Sequence, residues 1–149
     1  MGGDLCHHHG QLRPSPEQPI PANIQHLLSS HPKTHTHSSA KFQCPGSLIS
    51  KPALEHLNVK RDRRPDQPFF DPVLGENIPL AIETIRKTQP ADADDEVWFV
   101  SAHDPYVLDV ADFFPLTANR WKKAGWADEV RWAFVEELVP ALEADREGA

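Results

Sequence analysis

The stretch that most constrains this chain is the apolar run Val97, Trp98, Phe99 and Val100, set between Asp94-Asp95-Glu96 and Ser101-Ala102-His103-Asp104. Four large apolar residues are too few for a helix, and without alternation they read as a strand buried on both faces. Such strands belong to α/β architectures, in which ligands gather at the carboxyl ends of the strands, so position alone marks His103 and Asp104 as site candidates. Asp104 has a second reading. An aspartate before Pro105 is an N-cap followed by proline at the first helical position, which accounts for it without any function.

Only the far end of the chain is rich in core-forming residues. Of 149 residues 15 are proline, and all four tryptophans lie beyond position 97, so folded and irregular segments are expected side by side. A net charge of -7, with basic residues clustered only at 60–64, argues against nucleic acid as a partner. Nothing resembles a signal peptide, and no apolar stretch approaches a membrane span. Two cysteines, Cys6 and Cys44, are too few for a disulfide scaffold and lack metal-type spacing, so a reducing compartment is the default. A soluble, cytoplasmic chain without a membrane partner is expected.

The chain opens on Gly2-Gly3-Asp4-Leu5-Cys6-His7-His8-His9-Gly10. Paired glycines let backbone approach closely, and an acid followed by imidazoles is a usable set of metal ligands. Three successive histidines near a terminus are, however, most often flexible and solvated. Residues 11–65 are rich in Pro, Ser and His and poor in apolar periodicity, which predicts a long irregular loop. Within it His35-Thr36-His37 has the spacing that begins several zinc sites, but Ser39 and Ala40 follow where further ligands are needed, so it reads as loop.

Regular structure is predicted from Asn77. Ile78, Ile82 and Ile85 recur at helical spacing, Pro79 suits a first turn and Pro90 closes the run. A turn of helix follows at 105–110, another piece at 117–123 ended by Gly125, and a last helix at 127–138 with Val130, Phe134 and Leu138 on one stripe. The acidic residues from Pro140 are expected to fray.

Taken together, Gly3-Asp4-Leu5-Cys6-His7-His8, the buried run ending in Ala102-His103-Asp104, and the segments Cys44-Pro45-Gly46-Ser47, Gln67-Pro68-Phe69-Phe70, Asp112-Phe113-Phe114-Pro115 and Trp121-Lys122-Lys123-Ala124-Gly125-Trp126 resemble the second half of the metallo-β-lactamase-fold hydrolases. The likeness is to their intracellular, lactonase-like fungal branch. It implies a partial αββα fold in an α/β class: a metal-site segment at 1–10, a loop at 11–65, the C-terminal half of the domain at 66–139 and an acidic tail at 140–149. It also implies that Asp4 is the carboxylate bridging two zinc ions, that His103 is a metal ligand, and that His7 faces the substrate as a catalytic residue. The substrate would be a small ester or lactone, attacked by a metal-bound hydroxide.

The family's H-x-H-x-D-H motif is missing from these residues. Asp4 and His103 alone cannot hold a catalytic zinc, which wants three protein ligands. The chain is therefore expected to be the C-terminal portion of such a hydrolase, inactive by itself. Two other readings stay open: a non-enzymatic protein-binding module derived from such a hydrolase, and a small metal-binding protein using His7, His8, His9 and His103. A strand at 97–100 without its neighbours would leave an edge prone to self-association.

Overall fold

The computed structural model describes residues 5–24, 48–113 and 115–148. Among them the regular elements are helical: α1 (Lys51–Lys60), α2 (Ile78–Asp92), α3 (Val107–Val110), α4 (Trp121–Ala124), α5 (Trp126–Val130) and α6 (Val139–Glu147). Short 3-10 turns occupy His9–Gln11, Ala118–Arg120 and Ala133–Leu138. No β-strand forms among the described residues, and Ser101 carries a lone β-bridge. The α/β reading, with its partial αββα sheet, is thereby overturned.

The failure at 97–100 has a physical cause. A strand buried on both faces needs neighbouring strands to take its N–H and C=O groups, and the described residues offer none. The segment instead leaves a turn, in which Glu96 N–H donates to Asp94 Oδ1 at 2.8 Å and Val97 N–H to the Asp94 carbonyl at 3.0 Å. Only Phe99 is then buried, against Cys6, Leu12 and Ile85. The strand edge expected to drive self-association is not formed among the described residues.

Helix ends follow local chemistry more faithfully. The Ser50 hydroxyl accepts the Ala53 N–H at 3.3 Å to cap α1, and the Asn77 carbonyl oxygen accepts the Leu80 N–H at 3.0 Å to cap α2. Gly125, at φ 75°, ends α4 in the left-handed conformation that glycine adopts without strain. Pro90, however, does not close α2, which runs on to Asp92. Its last turn is held from outside: Gln89 Nε2 donates to the Leu12 carbonyl at 3.0 Å, and Arg131 Nη1 to the Asp92 carbonyl at 2.9 Å.

Three further expectations change in detail. The stretch 11–65 contains α1, and its first part is sunk in the protein, with Leu12, Ser15, Ile20 and Ile24 all buried. Its histidine pair His35 and His37, together with Cys44, lies outside the described residues. The helix expected at 127–138 is broken after α5, because Trp132, Ala133, Phe134 and Val135 are all buried and four consecutive residues cannot share one helical stripe. Pro140 does not begin a frayed tail. It sits in the first turn of α6, whose Val139 and Leu142 are buried and whose Asp145 pairs with Lys60 and His56 of α1.

The main core joins Ile20, Ile24 and Ile49 to Leu54 and Leu57 of α1, Phe69, the 132–138 segment and α6. A separate aromatic cluster places Trp98 at 6.0 Å from Trp121 and 5.9 Å from Trp126 between ring centres. Arg120 lies over the Trp126 ring at 5.2 Å and is itself gripped by Asp112 through two hydrogen bonds. No helix among the described residues is long and apolar enough to cross a membrane.

One ion pair links the parts. Arg13 and Asp92 are each 2% exposed. Arg13 Nε donates to Asp92 Oδ2 at 2.6 Å and to Gln18 Oε1 at 3.1 Å, Nη2 bonds Asp92 Oδ1, and Nη1 bonds the Arg131 carbonyl. Removing one partner of such a pair leaves a buried charge without compensation, at a cost of about 3–5 kcal/mol. Arg13→Ala and Asp92→Ala should each lose that much in urea denaturation, a large share of the roughly 5–15 kcal/mol that holds a small domain. The double variant Arg13→Met/Asp92→Leu should be hurt less than either single change. Single variants as stable as the parent would strip the pair of this role.

Candidate functional site

The site forms where the N-terminal histidines meet the corner at 101–106. His8 adopts an extended backbone, φ -155° and ψ 133°, and caps the turn His9–Gln11 by accepting the Gly10 N–H on Nδ1 at 2.8 Å. Residue 10 must be glycine for this approach. A Cβ there would lie 2.6 Å from the Phe70 ring and 2.9 Å from His8 Nδ1, while Phe70 N–H donates to the Gly10 carbonyl at 3.0 Å.

With Nδ1 accepting, His8 carries its proton on Nε2 and donates it to Glu137 Oε2 at 3.0 Å. Tyr106 OH donates to Glu137 Oε1 at 3.1 Å. The hydrogen bond from His8 is the main cause that holds the Glu137 carboxyl below its usual value, with help from Tyr106. Burial, then the neighbouring Glu137 charge, pushes the Tyr106 hydroxyl up. The His8 ring is wedged edge-on against Phe70 and Phe134, at 4.9 and 5.4 Å.

His7 and His103 lie together on the outside. Their rings stack with centres 5.7 Å apart and planes 12° apart, both residues are exposed, and the His7 N–H is held by Gln11 Oε1 at 3.0 Å. Asp4 lies outside the described residues. Asp104 uses Oδ1 to accept the Tyr106 N–H at 3.0 Å, so it stabilises the turn before α3 as a short polar side chain does rather than capping the helix itself. Its other oxygen, Oδ2, is 3.4 Å from His9 Nδ1, and both side chains are 3% exposed.

That contact is not an ion pair. Burial, reinforced by the positive Arg13 beside it, lowers His9 from 6.5 to about 3, so the imidazole is neutral; Arg13 Nη1 stands 3.4 Å from the same nitrogen. Burial also raises the Asp104 carboxyl. Cys6, directly behind the histidines, is a buried free thiol pushed up to about 11 by desolvation, which leaves it protonated and inert.

The sequence singled out His7, His103 and Asp104 but gave no functional weight to Tyr106 or Glu137. Glu137 presented only as a charge off an expected helical stripe, and nothing in spacing links it to His8. His9 enters the sequence reading only as one of the row of candidate histidine ligands, and no spacing marks it for burial.

What the chain resembles is a class of fungal metallo-hydrolase. Gamma-lactamase FDB1 of Fusarium pseudograminearum is 34% identical over 145 residues, which is 94% of this chain and 31% of that protein. Metallo-hydrolase mfmC of Annulohypoxylon moriforme is 36% identical over 146 residues, 95% of this chain and 33% of its own. Cytochrome P450 monooxygenase mpaDE of Penicillium roqueforti matches 98% of this chain at 31% identity but only 14% of itself, so its name describes a protein mostly outside the match. The chain is thus related to the metallo-β-lactamase-like hydrolases, and it spans about a third of the length of the first two relatives. No family model matches the sequence, and no solved structure matches it.

A metallo-hydrolase relative implies a metal. Among the described residues no three His, Cys, Asp or Glu side chains converge as ligands, and one zinc wants three from the protein. The described residues alone do not fit a resident ion.

The buried His9 gives the site a pH signature. The unfolded chain takes a proton on this imidazole near 6.5 and the folded chain only near 3, so the stability His9 contributes is complete above the first value and is lost progressively as pH falls below it. The raised Asp104 carboxyl acts in the opposite sense, so the comparison must be between proteins rather than along one curve. Between pH 7 and 5, His9→Gln should lose about 1–2 kcal/mol less than the parent in urea denaturation, the linkage of one such group over that interval. Parallel losses in the two proteins would show that His9 does not resist protonation.

Proposed function

We propose that this chain supplies part of the active centre of a metal-dependent hydrolase that opens a small ester, lactone or related cyclic amide. In this reading Asp4 and His103 are two of the metal's ligands, His7 faces the substrate, zinc is the metal, and the remaining ligands come from protein beyond these residues. The observation that carries it is the stacking of His7 on His103, two residues far apart in sequence that the resemblance had placed at one centre. The kinship with a gamma-lactamase and a metallo-hydrolase supports the reaction class. Exposure of both rings leaves them able to reach a ligand. By itself the chain is expected to bind zinc weakly and to hydrolyse nothing above background.

The competing reading, a non-enzymatic protein-binding module, draws on the exposed Leu108, Phe113 and Leu116 beyond the site corner. The two separate in a chimera in which this chain replaces the matching segment of metallo-hydrolase mfmC. The purified chimera should retain metal by elemental analysis and hydrolyse a γ-lactam or γ-lactone. Asp4→Ala and His103→Ala should each lower metal content, with activity falling about tenfold or more, since even outer-shell changes at metal sites cost that much. A folded chimera whose metal content is indifferent to both substitutions would refute the assignment and favour the module.

A further inference from the structure

Five buried side-chain atoms among the described residues make no hydrogen bond to protein, and three of them surround one small space. They are His9 Nε2, Ser101 Oγ and Asp104 Oδ2. All three residues line a pocket of about 20 Å³ that the stacked His7 and His103 also line. Native interiors seldom leave buried polar atoms unpaired, and three at one point are paired by something small and polar. A water molecule needs about 10–15 Å³ of such space and two to four polar partners. The space therefore has room for about one water.

We propose that a single water molecule is bound here, hydrogen-bonded to His9 Nε2, Ser101 Oγ and Asp104 Oδ2. Water suits this set because it can both donate and accept. The Asp104 oxygen accepts a hydrogen bond that the water donates, the Ser101 hydroxyl can turn either way, and the His9 nitrogen is matched whichever ring atom holds its hydrogen. A cation suits it poorly, since only one of the three groups is a carboxyl and His9 sits beside the positive Arg13. The water joins the N-terminal segment to residues 101 and 104, the two positions that flank Ala102 and His103. Ser101 and Asp104 are thus positioning residues for His103, and the water is the strut between them. The water site rests on this geometry and not on the hydrolase reading.

A crystal structure of the parent chain should show an ordered oxygen within about 2.7–3.2 Å of all three atoms. Direct bonds among the three side chains, or a collapsed space, would overturn the proposal. In solution, oxygen-17 magnetic relaxation dispersion counts long-lived internal waters, and Ser101→Val, whose branched side chain fills the space, should lose one water relative to the parent. Ser101→Thr, which keeps the hydroxyl, should restore the count, and the His103 ring signals should shift in the valine variant and return in the threonine one. An unchanged water count in a folded Ser101→Val protein would also overturn it. If the valine variant does not fold, the parent crystal structure decides alone.

Discussion

A buried arginine cannot be left to itself, and the arrangement of this protein follows from where Arg13 finds its partners. Its planar fork takes both oxygens of Asp92 at the end of α2 and reaches the Arg131 carbonyl after α5. A lysine, as a point charge, could not make that pattern. The requirement brings together three segments distant in sequence. The N-terminal residues are drawn inward, α2 is fixed at its C-terminal end, and the tryptophan-rich region is held against both. The histidines immediately before Arg13 are carried with it, which is why His9 is buried and neutral while His7, two residues earlier, stays outside.

The legible parts of the fold were those governed by a few adjacent residues. Asn77 with Pro79 specified a helix start, and Gly125 a helix end, because cap chemistry is local and tertiary contacts did not oppose it. Where a long-range partner decides the outcome, the same local logic failed. Pro90 reads as a stop, yet the bond that Gln89 donates to the Leu12 carbonyl and those that Arg13 and Arg131 donate to Asp92 hold the last turn of α2 beyond it. The run at 97–100 has a strand's composition, but a strand is a property of a sheet, and no partner for it exists among the described residues.

The site shows the same division. The resemblance read in the sequence marked His7 and His103, and their rings stack in the structure. What sequence could not give was the frame around them. Glu137 receives hydrogen bonds from both His8 and Tyr106, a convergence set by how the 132–138 segment packs and visible in no spacing. Nor could a row of three histidines announce that its members would meet solvent, a carboxylate and the buried interior in turn.

The tryptophan cluster has an optical consequence. Trp98 belongs to the irregular 97–100 segment, whereas Trp121 and Trp126 belong to α4 and α5, and the Trp98 ring centre lies 6.0 Å from the first and 5.9 Å from the second. Chromophores that close share their excitations, so the near-ultraviolet absorption of this trio belongs to the docked arrangement and not to any one ring. The chain's fourth indole, Trp132, stacks on Phe134 in the other core. The protein therefore carries a built-in spectroscopic label for the segment that leads into Ser101 and His103.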